Sequence, residues 1–453
     1  MKYTPHEYQK RAIDFVIDHP YCGLFIDMGL GKSVITLTAL TRLMDDYLEV
    51  QKVLVIAPKS VALNTWTTEA AKWDHTKHLR ISVVIGELKQ RERALQQDAD
   101  IYVINRENTD WLRKHYERER WPFDTVVLDE SSSFKNPQSR RFKALRALRP
   151  EIERLIELTG TPSPNGLMDL WAQLYLLDRG KRLGKTLTTY RTEFFKPGRR
   201  NGFVVYDWVP HASSRDRITS LISDICLSMQ ASDYLQLPDV IEAGADIALP
   251  EKDIKRYREF ERDCLMDLDG STLTAETAAA LSNKLLQFTG GAVYDTEHGW
   301  HEVSTAKLDA LEDIVEQAGE PVLVYYAYQS EKERIMERLK AYGPVTFKGE
   351  PDILERWNRG EIRVLLCHPA SVAYGLNMQQ GGHIIVWYTL SWNLELYQQA
   401  NARLYRQGQQ KPVLIYHVTA CGTLDERVKA ALQHKGSEQL TLLQTIRDML
   451  QRN

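Results

Sequence analysis

Several short segments combine residue types and spacings suited to phosphoryl transfer. The first is Asp27-Met28-Gly29-Leu30-Gly31-Lys32-Ser33, which follows apolar Leu24-Phe25-Ile26 and precedes a helical pattern over 34–44. Strand, glycine loop and helix in that order make a phosphate cradle. Gly29 and Gly31 let backbone N–H groups curl around phosphate oxygens. Lys32 supplies charge to the β and γ phosphates, Ser33 offers a hydroxyl to Mg²⁺, and the helix N-terminus adds partial positive charge. The strict G-x-x-x-x-G-K-[ST] spelling needs glycine at position 26, where this chain has Ile. Alone, the segment therefore also reads as a glycine-rich turn before a helix.

A second segment, Val126-Val127-Leu128-Asp129-Glu130, is an apolar run ending in paired carboxylates. In a parallel sheet the carboxyl end of such a strand faces the crevice that holds the phosphate loop. Asp129 could hold Mg²⁺ through water there, and Glu130 could orient or deprotonate the attacking water. Thr159-Gly160-Thr161-Pro162, after apolar Leu155 to Leu158, is a turn of hydroxyls and glycine suited to sensing the γ-phosphate. Far downstream, Gln399 to Gln409 reads as a helix stopped by Gly408, with Arg403 and Arg406 projecting from one face. An arginine pair of this kind stabilises the charge of a transferring phosphoryl group.

Elements that could position these groups are visible as short β-branched runs between amphipathic stretches. They include 53–56, 81–85, 101–104 and 126–128, and later 322–326, 362–366, 384–387 and 413–416. Such alternation predicts buried parallel sheets with crossover helices. Two α/β lobes are expected, at 1–178 and 303–422. Between them 179–302 reads as a mainly helical insertion or linker with a basic segment, and 423–453 as a helical tail.

Bulk properties set the limits. The 453 residues suffice for two or three domains, and 43% hydrophobic with 26% charged residues is an ordinary globular balance. A net charge of −3 argues against a wholesale basic coat, though not against a local basic track. The five cysteines form no C-x-x-C pair, which disfavours a zinc site and fits a reducing compartment. The amino-terminal segment has no signal-peptide core and no run is long enough to span a membrane, so a bacterial or viral-host cytoplasm is expected.

Taken in order, the segments resemble the SWI/SNF-type ATPases of helicase superfamily 2. The set runs Tyr8-Gln9, the Gly-Lys-Ser loop, Ala57-Pro58-Lys59-Ser60, Asn64 and Trp66, then Lys72-Trp73. Asp129-Glu130 with Lys135-Asn136-Pro137 follows, then the Thr159–Pro162 turn with Asn165 and Leu170-Trp171. Gly375-Leu376-Asn377, Trp392-Asn393 and the Gln399–Gln409 block complete it. The resemblance implies two RecA-like parallel-sheet lobes and ATP hydrolysis at the cleft between them, with ATP and Mg²⁺ as cofactors. It implies ATP contacts from Gln9, which would read the adenine edge, from Asp27, Met28, Gly29, Leu30, Gly31, Lys32 and Ser33, and from Gly375. Ser33 and Asp129 would serve the metal, and Lys32, Asp129, Glu130, Arg403 and Arg406 the chemistry. Pro58, Lys59, Ser60, Asn105 and Lys135 would touch nucleic acid, as would Asn377 and Trp392 unless they couple to ATP instead. Two departures stand out: Ser131-Ser132 replace the usual Ala-His, and Val372-Ala373-Tyr374 replace a Gly-Gly.

Residues 179–200 hold eight basic side chains against one acid, Glu193, with aromatic residues interleaved. This segment, Arg199 and Arg200 included, reads either as a grip on a phosphate backbone or as a solvated loop. The expected function is a DNA-dependent ATPase motor, monomeric when free, that moves along or remodels duplex DNA. A strand-separating helicase on single-stranded DNA or RNA is the alternative, and a nucleotide-regulated scaffold a more distant one.

Overall fold

The computed structural model describes all residues except 118, 199, 202, 203, 206, 235, 236, 267–274, 296, 298, 373–375 and 453. The chain divides into two compact units, Met1–Leu235 with Lys435–Asn453, and Gln236–His434.

Seven strands build the sheet of the first unit: β1 (Tyr21–Ile26), β2 (Val53–Ala57), β3 (Ile81–Val84), β4 (Ile101–Asn105), β5 (Thr125–Asp129), β6 (Arg154–Thr159) and β7 (Cys226–Met229). Their order is β7-β1-β6-β5-β2-β4-β3, and every pair is parallel. Every residue of β2, β4, β5 and β6 is buried, as expected when helices cover both faces. Register pairs Phe25 of β1 with Thr159 of β6, and Asp129 of β5 with Leu158. The loops after β1, β5 and β6 therefore emerge together at one edge of the sheet. The helix after the β1 loop, α1 (Lys32–Asp45), packs a nearly continuous buried face.

The second sheet holds β8 (Val240–Ile247), β9 (Val322–Tyr325), β10 (Val345–Phe347), β11 (Val364–Cys367), β12 (Ile384–Trp387) and β13 (Val413–Ala420). It runs β8-β13-β12-β9-β11-β10, again all parallel. Residues 179–302, set apart by sequence as a mainly helical segment, are divided between the two units and give each sheet an edge strand, β7 and β8. The segment also carries three small antiparallel ribbons among its described residues, 195–197 with 208–210, 200–201 with 204–205 and 292–294 with 300–302. The tail is one helix, Leu424–Arg452. Among the described residues no helix is long and apolar enough to cross a membrane.

Candidate nucleotide site and arginine pair

In the β1–α1 loop Gly29 and Gly31 both adopt φ 86°, a left-handed conformation that side chains rarely adopt. Lys32 begins α1, and its Nζ donates to the Ile26 carbonyl at 2.8 Å. The Thr159–Pro162 turn lies against this loop: a Cβ on Gly160 would come within 3.3 Å of the Ile26 oxygen and 3.7 Å of Lys32 Nζ. Leu30 is buried, while Met28 and Ser33 are half-buried. Asp27 faces β7, its Oδ2 accepting from the Ala231 N–H at 3.0 Å. Gln9 reaches the loop too, donating from Nε2 to the Leu30 carbonyl at 3.2 Å. Its Oε1 accepts from Tyr3 Oη and the His6 N–H, both at 3.0 Å. The amide is thus wired on both sides into the phosphate loop and the start of the chain.

Asp129 ends β5 in a buried position. Burial pushes its carboxyl up, opposed by the Lys32 ammonium and by the Trp66 indole, whose Nε1 donates to Oδ2 at 3.0 Å. Glu130 follows at φ 58°, ψ 61°, a left-handed conformation costly for a residue with a side chain. Backbone strain of order 1–3 kcal/mol persists where the surroundings over-determine it, and it clusters at functional sites. The strain aims Glu130 away from the strand direction and starts the 3₁₀ turn Ser131–Phe134.

Sequence reasoning passed over the group that joins the two loops, Gln173. It sits on α2 (Leu170–Asp178), fully buried. Ser131 Oγ donates to its Oε1 at 3.0 Å, and its Nε2 donates to the carbonyls of Pro162 at 2.7 Å and Asp169 at 3.0 Å. The residue after the carboxylate pair is therefore tied to the end of the Thr159–Pro162 turn. The available signal was a glutamine in an otherwise apolar helical run, paired with the unexpected serine at 131.

On the second unit the expected helix ends early. The helix α3 (Leu394–Asn401) stops at Asn401, and Arg403 and Arg406 lie in the turns that follow. The Arg403 and Leu404 N–H groups bond three residues back, to Ala400 and Asn401, tightening the chain out of the α-helix. The arginines still converge: Arg403 Nη1 and Arg406 Nη1 both donate to the Leu376 carbonyl, at 3.0 and 2.9 Å. Arg403 also gives Nε to the Gln399 carbonyl at 2.9 Å. Arg406 Nε is buried without a hydrogen-bond partner, and burial lowers this guanidinium's pKa. Gly375 lies outside the described residues.

The expected nucleic-acid contacts divide. Lys59 and Ser60 are exposed at the head of a helix widened into a π-turn at Val61–Thr65, while Pro58 is buried. Asn105 does not face solvent: it is buried, its Nδ2 donating to Glu107 and its Oδ1 accepting from Asn108. Those bonds tie its amide to the local turn. Lys135 is half-buried and Asn377 exposed. Trp392 is 38% exposed and donates Nε1 to Ser282 Oγ at 2.8 Å. Arg200 is exposed on the small ribbon, and Arg199 lies outside the described residues.

A phosphate loop, two carboxylates at the end of a parallel strand of the same sheet and an arginine pair in the unit of the second parallel sheet define a helicase-type ATPase. The chain matches the family model of the SNF2-related domain over residues 8–290 and that of the helicase conserved C-terminal domain over 306–408. It belongs to the SNF2-related family of ATP-dependent helicases and translocases. It is 36% identical to protein p41 of Acyrthosiphon pisum secondary endosymbiont phage 1, covering 98% of this chain and 99% of that one. YwqA of Bacillus subtilis (strain 168), named as an ATP-dependent helicase/translocase, is 26% identical over 96% of this chain and 48% of its own length. The DNA repair and recombination protein RAD54-like of Gallus gallus is 23% identical over 91% of this chain and 63% of its own. The chain thus spans nearly the whole phage protein but less than two thirds of the two cellular ones.

Proposed function

We propose that this ATPase is stimulated by DNA and uses hydrolysis to move along duplex DNA, acting as a monomer in the cytoplasm of a host cell. The observation that carries the reading is the preformed edge of the first sheet. Lys32, buried Asp129, strained Glu130 and the Thr159–Pro162 turn meet there around one glycine loop. A dead nucleotide-binding scaffold has no need of a strained glutamate beside a desolvated aspartate.

Lys32 binds the β and γ phosphates, Glu130 orients the attacking water and takes its proton, and Arg406 meets the charge that develops on the γ-phosphoryl group. Gln9 reads the adenine edge by exchanging its bond to Leu30. The donor set fits Mg²⁺. Ser33 and Asp129 offer one hydroxyl and one carboxylate, both hard oxygen donors. That suits an ion held by one carboxylate and by substrate phosphates. When bound, it would neutralise phosphate charge. Support for DNA comes from the repair role in the name of the RAD54-like relative, and from the exposed basic side chains Lys59 and Arg200.

The test is ATP turnover without polymer, and with single-stranded DNA, duplex DNA and RNA. Duplex DNA should stimulate most, and Lys32→Ala and Glu130→Gln should each lower the stimulated rate by about a hundredfold or more. Stimulation by RNA alone would overturn the DNA assignment, and no stimulation by any polymer would sink the motor reading.

A further inference from the structure

The phosphate loop sits at the carboxyl edge of the first sheet; the opposite edge holds a cavity of about 950 Å³. Tyr21, Ile152 and Ile225, just at or before the starts of β1, β6 and β7, line it, with the carboxyl end of α2 and the turn that follows. Six Lys or Arg side chains surround it, against a single carboxylate, Asp178. In a chain of net charge −3 this is a local concentration of positive charge.

Apart from Arg146, whose guanidinium lies over the Tyr175 ring, the cations fall into two groups. Arg149 is structural, buried with Nε, Nη1 and Nη2 donating to the carbonyls of Leu176, Ile152 and Leu177 while its plane lies over the Tyr21 ring. Arg182 is neutralised by Asp178 and Asp224. Asp178 has nothing left for the others: Oδ1 accepts the Gly180 and Lys181 N–H groups, and Oδ2 the Arg182 N–H and guanidinium. That carboxylate instead braces the turn from which Arg179, in left-handed backbone at φ 60°, and Lys181 emerge. Arg179, Lys181 and Lys185 are exposed, and among the described residues no acid pairs with them. Repulsion from Arg179 already lowers the pKa of Arg149, beyond the lowering caused by burial.

We propose that this cavity is a second nucleic-acid contact, remote from the nucleotide site, whose rim of Arg179, Lys181 and Lys185 takes the phosphodiester backbone of DNA. The proposal rests on the DNA-motor reading. Outward-facing cations at the mouth of a half-open cavity suit a strand passing across it better than an anion enclosed within it. A braced turn also presents charge without first ordering a loop, so little affinity is lost to entropy.

The test is fluorescence anisotropy of a labelled duplex of roughly 30 base pairs binding the full chain across a salt series, at about 0.9 log units of slope per phosphate contact. Lys181→Glu/Lys185→Glu should weaken binding about tenfold, and Lys181→Gln/Lys185→Gln, gentler on the fold, should flatten the slope by about 1.8. Lys89→Glu/Lys348→Glu, with the same change in net charge at exposed sites elsewhere, should do neither. Equal effects from the control pair, or wild-type affinity and slope in the rim variants, would overturn the proposal while leaving the motor reading intact. Calorimetric binding of inorganic tripolyphosphate that the rim variants lose would mark a small-anion pocket and overturn the nucleic-acid assignment. A wild-type chain that binds no duplex at all would overturn both readings.

Discussion

On the first sheet each proposed catalytic segment is held by a side chain from another: Trp66 on Asp129, Gln173 between Ser131 and Pro162, Gln9 on Leu30. On the second sheet Arg403 and Arg406 share one backbone carbonyl, that of Leu376. The first arrangement fixes geometry in advance, because several partners would have to move for any one group to shift. The second leaves the guanidiniums on an acceptor they can exchange for a phosphate oxygen. The two arginines also differ from each other. Arg403 is 6% exposed and held by a second bond to the preceding helix, whereas Arg406 keeps a buried Nε without a partner. A desolvated donor with unused capacity gains most when an anion arrives.

The sharpest way to break this contrast is to truncate the two arginines separately. Arg406→Ala should lower kcat about a thousandfold, the low end for an arginine finger, with ATP affinity nearly unchanged. Arg403→Ala should also lower the melting temperature, because it strands the Gln399 carbonyl. Single-turnover hydrolysis and equilibrium nucleotide binding separate the two effects. Equal loss of binding and turnover in Arg406→Ala would mean that its guanidinium contributes to ground-state affinity, and the contrast would fall.

Much of this was legible in the residue order, and what was not has identifiable causes. Central strands such as Val53–Ala57 and Ile384–Trp387 are buried on both faces and read as continuous apolar runs. Of the edge strands, Ile81–Val84 was legible but others escaped. Val240–Ile247 is exposed or half-buried throughout, with Glu, Gly and Asp within it, and Cys226–Met229 contains Ser228 and no β-branched residue. A strand paired on one side needs little apolar character, so its sequence is a weak signal. The arginine pair was legible by spacing, but the helix assumed to carry it ends before Arg403, because local turn bonds decide that boundary. Asn105 shows the opposite limit: its residue type suits a phosphate contact, but its burial and its bonds to Glu107 and Asn108 are not visible in the residue type. The Ser131–Gln173 bond joins residues 42 apart and could not be read from either alone.

That bond gives a prediction of intermediate size. Ser131→Ala removes one buried hydrogen bond, worth about 1 kcal/mol, and should lower kcat about fivefold with little change in the KM for ATP. Gln173→Leu removes that bond and the two to the Pro162 and Asp169 carbonyls, so its loss should be larger. As both break one connection, the double variant should be hardly worse than Gln173→Leu. Additive losses would show that the two side chains act separately, and the picture of a pre-wired first sheet would weaken to simple packing.

The smallest effect concerns the floor of the same site. Glu157, on β6, is fully buried, and neither Oε1 nor Oε2 has a hydrogen-bond partner among the described residues. Burial raises its pKa well above the ordinary carboxylate value, opposed by the Ser131 hydroxyl and by Arg149. Unfolding would release that proton in the usual range, whereas the folded chain keeps it to higher pH. Between those limits the native state binds more protons than the unfolded one, so this group makes stability fall as pH rises. Glu157→Gln retains the shape and removes the titration. Its melting temperature should match wild type near pH 4 and exceed it increasingly toward pH 8, by about 2–4 °C for each kcal/mol relieved. An offset that is constant across pH would mean that the carboxyl is already ionised in the fold, which requires a cation or donor close enough to hold the charge. The first sheet would then be wired by ionic pairs, and its contrast with the second would have to be redrawn around charge.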